Sequence, residues 1–275
     1  LILTDIKYGL SLNPFDPEYL PATAPPPVPA SGLGWQRFPG GEAAVGQGQG
    51  DGFGYDNERP RHRVLLAPYQ LADRLTTCGD YLEFMADGGY ARPEFWLSDG
   101  WAAVCANGWQ APLYWRRAAG ENHWSQFTLH GRRPVDPAEP LCHVSFYEAA
   151  AYAAWAGARL PTEFEWEAAM AGQPRQGRFL DPAWLQPRAA GLGPGLRQAF
   201  GDVWVWTRSA YDPYPGFQPL AGAVGEYNGK FMVGQLVLRG GSCATPPGHV
   251  RLTYRNYFPP AARWQFSGLR LAREA

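Results

Sequence analysis

The chain has 275 residues, 45% hydrophobic and 15% aromatic, with 24 Lys and Arg against 25 Asp and Glu. That is ample for a packed core in one large domain or two small ones, and the near-balanced charge offers no basic field to draw a phosphate backbone, so nucleic acid is not an expected partner. No apolar run approaches the roughly 20 residues that cross a bilayer, so no membrane partner and a cytoplasmic location are expected. Cys78, Cys105, Cys142 and Cys243 are scattered without CxxC or CxxH spacing, which signals neither a zinc site nor a disulfide framework and predicts buried free thiols. The 33 Gly, 27 Pro and 12 Trp predict many loops pinned by large aromatic anchors.

The opening LILTDIKYGLSLNP reads as the end of a helix, with Leu1, Leu3 and Ile6 apolar and Lys7 where a cation complements a helix C-terminus. From Pro14 to Gly54 the chain is rich in Pro and Gly, but Trp35, Phe38 and Phe53 interrupt it, which favours an ordered loop and strand wrapping a folded body. His62 to Leu71 is an early strand candidate. Thr77 with Asp80 predicts a capped helix whose stripe is Tyr81, Phe84 and Met85, and a short helix is expected near Asp99 to Ala106. Leu113 to Arg116 and His123 to Leu129 read as a hairpin, and Pro134 opens a loop.

Two further capping boxes follow, Ser145 with Glu148 and Thr162 with Glu165, predicting helices to about Ala156 and Ala171. Glu163, Glu165 and Glu167 resemble an acid/base cluster, yet the first turns of a capped helix favour carboxylates, which makes them structural. Asp56 to Glu58 with Arg59 and Arg61 is read as a tie between the early loop and the body. From Val237 to Ala272 the chain alternates strand, Gly-Gly turn, Pro-rich loop and closing strand, dense in Arg and aromatics. Helices in the middle and short strands at the end predict an α+β fold.

Ala158-Arg-Leu-Pro-Thr-Glu-Phe-Glu-Trp-Glu-Ala-Ala169, Gly201-Asp-Val-Trp-Val-Trp-Thr207, Leu238-Arg-Gly-Gly-Ser242 and Gly268-Leu-Arg-Leu-Ala272 resemble, in order, the signature blocks of the formylglycine-generating-enzyme superfamily. The resemblance spans about Phe53 to the C-terminus and implies a loop-rich, C-type-lectin-like α+β fold. Leu3 to Lys7, Phe53 to His62, Gly225 to Phe231, Arg239 to Thr245 and Tyr254 to Pro259 resemble the C-terminal domain of the ergothioneine-forming sulfoxide synthases, or hercynine oxygenases. That family implies an Fe(II) and O2 enzyme joining a thiol sulfur to the imidazole of trimethylated histidine.

In that family three His of an N-terminal four-helix domain hold the iron, the last two in an H-x-x-x-H run just ahead of the Leu-Thr-Asp-Ile-Lys stretch. Residues 1–13 are therefore the expected end of a helix from that missing iron-binding domain, 14–52 a wrapping loop and 53–275 the formylglycine-generating-enzyme-like domain. His62, His123, His130, His143 and His249 show no second ligand at helical spacing, so no metal site is expected in this chain. The family pattern puts Tyr227, Asn256 and Tyr257 at the hercynine carboxylate and trimethylammonium, which aromatic faces and an amide suit. Members that use γ-glutamylcysteine carry a charged pair where this chain has Phe258 and Ala262, so cysteine is the expected thiol. Arg255 and Arg263 are candidate anion contacts or structural donors to loop carbonyls.

Two departures bear on other chemistry. A formylglycine-forming oxidase needs paired thiols, and Cys243 has no second Cys after it. Val205 stands where the superfamily has Glu between two Trp, which weakens a structural calcium at Asp202. Trp204 and Trp206 then read as two anchors on one sheet face. A stand-alone C-type-lectin-like binding module and another oxidase of the superfamily remain as alternatives to the sulfoxide synthase.

Overall fold

The computed structural model describes residues 1–21, 28, 32–118, 120–181 and 183–275; residues 22–27 and 29–31, inside the expected wrapping loop, lie outside the described residues. Helix α1 (Ile2–Ser11) is followed by strands β1 (Trp35–Phe38), β2 (Gly41–Val45), β3 (His62–Leu66) and β4 (Tyr69–Ala72). The single strand expected over 62–71 is split in two, at Ala67 and Pro68, the latter unable to donate to a ladder. β1 pairs antiparallel with β4 and β2 with β3, so the sheets draw on residues ahead of Phe53.

Helix α2 (Cys78–Ala86) starts at the Thr77–Asp80 box, and α3 (Ser98–Asn107) ends at Gly108 with φ +61°. β5 (Trp115–Arg116) and β6 (Ser125–Thr128) form the expected hairpin, and β7 (Gly131–Pro134) adds a third strand just ahead of the expected loop. Helices α4 (Phe146–Trp155) and α5 (Glu163–Met170) start at the two remaining boxes, where Ser145 and Thr162 accept from the N–H three residues on and the Glu carboxylates return the bond. A short parallel pair, β8 (Gly177–Arg178) and β9 (Phe200–Gly201), precedes the largest sheet.

That sheet joins β10 (Trp204–Ala210), β11 (Leu236–Arg239), β12 (Asn256–Phe258) and β13 (Ser267–Gly268) in the order β12-β11-β10-β13. Between β10 and β11 lies α6 (Ala223–Gly229), a helix that its Gly-rich sequence does not advertise. β14 (Ala272–Glu274) returns to pair with β4, tying the end of the chain to its beginning. The core is built on fully buried Trp166, Phe200, Trp206 and Phe266. At the turn after β11, Gly240 and Gly241 take φ of +95° and +84°, and a Cβ on Gly241 would meet Val250 Cγ2 at 2.6 Å, so the bend requires glycine.

Helix α1 packs with its polar stripe inward. Thr4, Lys7 and Ser11 are buried, whereas Leu1, Ile2, Tyr8 and Leu12 are exposed. Lys7 is not the helix-C-terminal cation expected from the sequence, since α1 runs on to Ser11 with no basic residue in its last turn: at 1% exposure, its Nζ lies 2.7 Å from His143 Nε2 and 4.9 and 4.7 Å from the ring centroids of Tyr114 and Phe266. An imidazole lone pair and two ring faces replace the water that the ammonium loses. Burial lowers the Lys7 pKa to about 8, and burial followed by the Lys7 charge holds His143 well below its ordinary value. At neutral pH the ammonium accordingly donates to a neutral imidazole. Cys78, Cys142 and Cys243 are buried as expected, but Cys105 is exposed, on the outer face of α3.

The sign of the Lys7 contribution follows from its lowered pKa. From pH 8 to the ordinary 10.5 the unfolded chain binds the extra proton, so stability contributed through Lys7 rises with pH across that window. Relative to Lys7→Met, the wild-type denaturation midpoint should therefore climb from pH 8 to 10, by on the order of 2–3 kcal/mol in stability. A constant difference between the two proteins across that range would contradict the buried ammonium.

Candidate functional site

A cleft of about 740 Å³ opens over the edge of the largest sheet. Strand β12 supplies Asn256, Tyr257 and Phe258, the segment from α6 onward supplies Tyr227, Asn228 and Phe231, and the loop after the Gly-Gly turn supplies Ser242, Thr245 and His249. Tyr55 and Asn57 close it from the early loop, Trp204, Tyr254 and Gln265 form more of its wall, and Leu1 and Thr4 of the α1 region reach its rim. The residues come from segments as far apart in the chain as Leu1 and Gln265. What joins them is the β10–β11–β12 ladder, in which Val205 faces Arg239 and Leu238 faces Asn256.

Of the six residues nominated from sequence, Tyr227, Arg255, Asn256, Tyr257 and Phe258 line this cleft. Tyr257 stacks on Tyr211 at 3.9 Å and 10°, and its hydroxyl donates to Asn228 Oδ1 at 3.3 Å. Burial first, with Tyr227 and Asp56 adding to it, pushes its pKa up to about 12, so the phenol stays protonated. Asn256 Oδ1 accepts from Tyr257 N at 3.0 Å, and its Nδ2 has no partner among the described residues. Tyr227 is 63% exposed, with its ring 5.4 Å from that of Phe231, and Phe258 meets Trp264 edge-on at 5.1 Å.

The two arginines are placed differently. Arg255 contributes to the wall, but its guanidinium is turned inward: Nε and Nη2 donate to Glu163 at 2.9 Å each, Nη1 to Asn57 O at 3.0 Å and Nη2 to Asp212 O at 2.9 Å. Burial works against its charge, but Glu163 outweighs that and keeps its pKa raised. Arg263 does not reach the cleft; it donates to Glu148 at 2.8 Å and to Ala111 O, and lies over Trp109. The geometry therefore gives both the role of donors to the protein's own oxygens, and neither guanidinium is offered to an anion. Glu163 and Glu167 are the inner halves of this arrangement, Glu167 accepting from Arg239 and from Gly46 N.

The early loop is fastened in the same way. Glu58, fully buried, accepts from Arg251 and from Thr253 Oγ1 at 2.5 Å, and the Arg251 guanidinium lies among the rings of Phe53, Tyr55 and Tyr254. Beside it, His249 makes no side-chain hydrogen bond among the described residues, and burial followed by Arg251 lowers its pKa. His62 contacts Tyr214 and Pro60 O, His130 contacts Leu20 O and Trp184, His143 faces Lys7, and His123 lies near Glu121. Among the described residues no three His, Cys, Asp or Glu side chains converge as metal ligands. Asp202 is buried with its pKa raised to about 6, first by burial; it accepts from Arg188 N and faces Arg178, hydrogen-bond donors where calcium requires oxygens.

Tyr55, Asn57, Asn228, Phe231 and Tyr254 were not nominated from sequence. Each lies inside a stretch that carries the family resemblance, so the density of those stretches was the available signal. Trp204 read as a plain anchor, and His249 and Gln265 carried no signal beyond residue type. Gln265 is 8% exposed, and its side-chain amide has no hydrogen-bond partner among the described residues.

A match to the sulfatase-modifying factor enzyme 1-like domain covers residues 31–191 and 193–275. The chain belongs to that family. Members of the sulfatase-modifying factor enzyme 1-like family similar to it include hercynine oxygenase of Mycobacterium tuberculosis, 39% identical over 240 residues that make up 79% of this chain and 55% of that protein. The chain thus spans about half the length of such a relative. Formylglycine-generating enzyme of Streptomyces coelicolor is 32% identical over 267 residues, covering 81% of this chain and 83% of that one. In structure the chain is similar to PvdO from Pseudomonas aeruginosa, with a TM-score of 0.57, 20% identity, and 88% and 94% of the two chains covered. That likeness concerns the fold alone, the C-type-lectin-like α+β fold of the formylglycine-generating enzymes.

Removing one half of the buried Arg255–Glu163 pair should leave an uncompensated guanidinium. Glu163→Gln is expected to lower stability by ~3–5 kcal/mol in chemical denaturation, whereas Glu42→Gln, from an ion pair whose side chains are 76% and 63% exposed, should stay within about 0.5 kcal/mol.

Proposed function

We propose that this chain is the substrate-binding portion of a sulfoxide synthase that joins cysteine to hercynine in ergothioneine formation, as in its hercynine oxygenase relatives. The observation that carries the reading is the convergence of Tyr227, Asn256, Tyr257 and Phe258 on one cleft walled mainly by aromatic rings and neutral amides. Hercynine presents a trimethylammonium, a carboxylate and an imidazole. Ring faces of Tyr227, Phe231 and Tyr257 suit the first, the Asn256 amide suits the second as a donor, and Gln265, donor and acceptor at once, suits either polar group.

The overall conversion balances with O2 as the oxidant: an imidazole C–H and a cysteine S–H are replaced by a C–S bond, the sulfur takes one oxygen atom, and the other leaves as water. Iron(II) would supply the activation of O2. Its ligands are expected outside these 275 residues, and the rim formed by Leu1 and Thr4 is where a facing domain would meet the cleft. Phe258 and Ala262 leave no charged pair for the extra amino and carboxylate groups of γ-glutamylcysteine, and the nearby Arg263 is held by Glu148, which supports free cysteine as the thiol.

Titration calorimetry tests the binding half of this reading. Asn256→Ala and Tyr257→Leu should each weaken hercynine binding about five- to fiftyfold, the loss expected for one charge-assisted hydrogen bond or one aromatic contact to a desolvated cation. The protein extended at its N-terminus to the length of its relatives should consume hercynine, cysteine and O2 together, and a preference for γ-glutamylcysteine would overturn the assignment of the thiol.

A further inference from the structure

Asp56 lies behind the aromatic end of the cleft, 3% exposed, in the 3-10 turn Asp56–Glu58. Among the described residues its carboxylate is held by neutral donors alone. Oδ1 accepts from Asn228 Nδ2 at 2.6 Å and from Asn57 N at 2.8 Å, and Oδ2 accepts from Leu220 N at 3.3 Å. Three charged pairs near the cleft cancel among the described residues, Arg255 with Glu163, Arg251 with Glu58 and Arg239 with Glu167. Asp56, by contrast, is a buried carboxylate with no cationic partner among the described residues, an arrangement that costs stability unless something else supplies the positive partner.

Asn228 connects that charge to the wall. It is buried, and with Nδ2 on Asp56 its Oδ1 accepts from the Tyr257 hydroxyl at 3.3 Å. A flip of the amide would set oxygen against the carboxylate and the amine against the phenol, so Asp56 fixes which way Asn228 points. The Tyr257 ring, stacked on Tyr211 at 3.9 Å and 6.0 Å from the Phe231 ring, is thus linked to the acid through a single amide. Aromatic faces one amide away from an uncompensated carboxylate form a place for a cation too bulky or too weakly hydrated to need direct contact with the acid.

We infer that Asp56 is the specificity-determining charge of the cleft, selecting a quaternary ammonium over a neutral group of the same shape and positioning Tyr257 through Asn228. This rests on the proposed hercynine site and deepens it. Asp56 does not touch the ligand; it acts through the low-dielectric wall and through the amide.

The test is a selectivity ratio. Hercynine and its neutral isostere, in which a carbon replaces the trimethylammonium nitrogen, are titrated calorimetrically into the 275-residue chain and into Asp56→Asn, with circular dichroism confirming the fold. The wild-type chain should prefer hercynine, and the variant should lose about tenfold in affinity for hercynine while holding the isostere within about twofold, as a through-wall charge effect predicts. Asp56→Ser, whose hydroxyl keeps an acceptor for Asn57 N, gives the same reading where Asp56→Asn does not fold. Equal wild-type affinity for the two compounds, or a variant that keeps the full preference, overturns the inference and leaves the site standing. A wild-type chain that binds neither compound rejects the hercynine site, and the role of Asp56 with it.

Discussion

Two arginines and two glutamates buried beneath the largest sheet are the constraint on which the rest of the structure depends. Glu163 and Glu167 stand one turn apart on α5; Arg239 ends β11 and Arg255 immediately precedes β12, so the four side chains bolt a helix to two neighbouring strands from below. Each charge is nearly or wholly out of water, which makes the group tolerable only when complete. The network also reaches outward, through Gly46 N on Glu167 and Asn57 O on Arg255, to fasten the early part of the chain. Cleft residues above it therefore rest on a rigid floor, and their positions are inherited from ion pairs that no ligand touches.

This division between floor and wall explains how the cleft manages charge. The guanidiniums that a sequence reader would assign to an anionic substrate face downward into carboxylates, and the surface left for a ligand consists of rings and amides. A wall so composed suits recognition by shape, by π-face and by hydrogen-bond pattern. Proteins similar to the chain include both a hercynine oxygenase and a formylglycine-generating enzyme, and a wall of this kind can be re-lined without disturbing the floor.

Local chemistry made much of the fold legible in the sequence. Three capping boxes gave three helices because a Thr or Ser hydroxyl and a carboxylate three residues on have one good way to satisfy each other. The five stretches that resemble hercynine oxygenases each contribute to the cleft, whereas the blocks Ala158 to Ala169 and Gly268 to Ala272 do not line it. What escaped was whatever depends on partners far away in the chain. Arg263 stands in the sequence as either an anion contact or a structural donor, and the choice rests on Glu148, a helix-cap residue 115 positions earlier. Helix α6 was hidden by its glycines, and the inward turn of Lys7 could not be foreseen without knowing that His143, Tyr114 and Phe266 would enclose it.

The inverted packing of α1 has a geometric corollary. Lys7, pegged into its socket of rings and imidazole, clocks the helix about its own axis, and Leu1 and Thr4 sit on the cleft rim only because of that clocking. One residue inserted between Thr4 and Lys7 would swing the rim side chains by about 100° relative to the peg. A deletion of one residue would swing them as far the other way. Length in this short stretch is thus as strictly determined as residue identity, and the spacing of Thr4 from Lys7, not merely their presence, is what aligns the rim with the wall opposite.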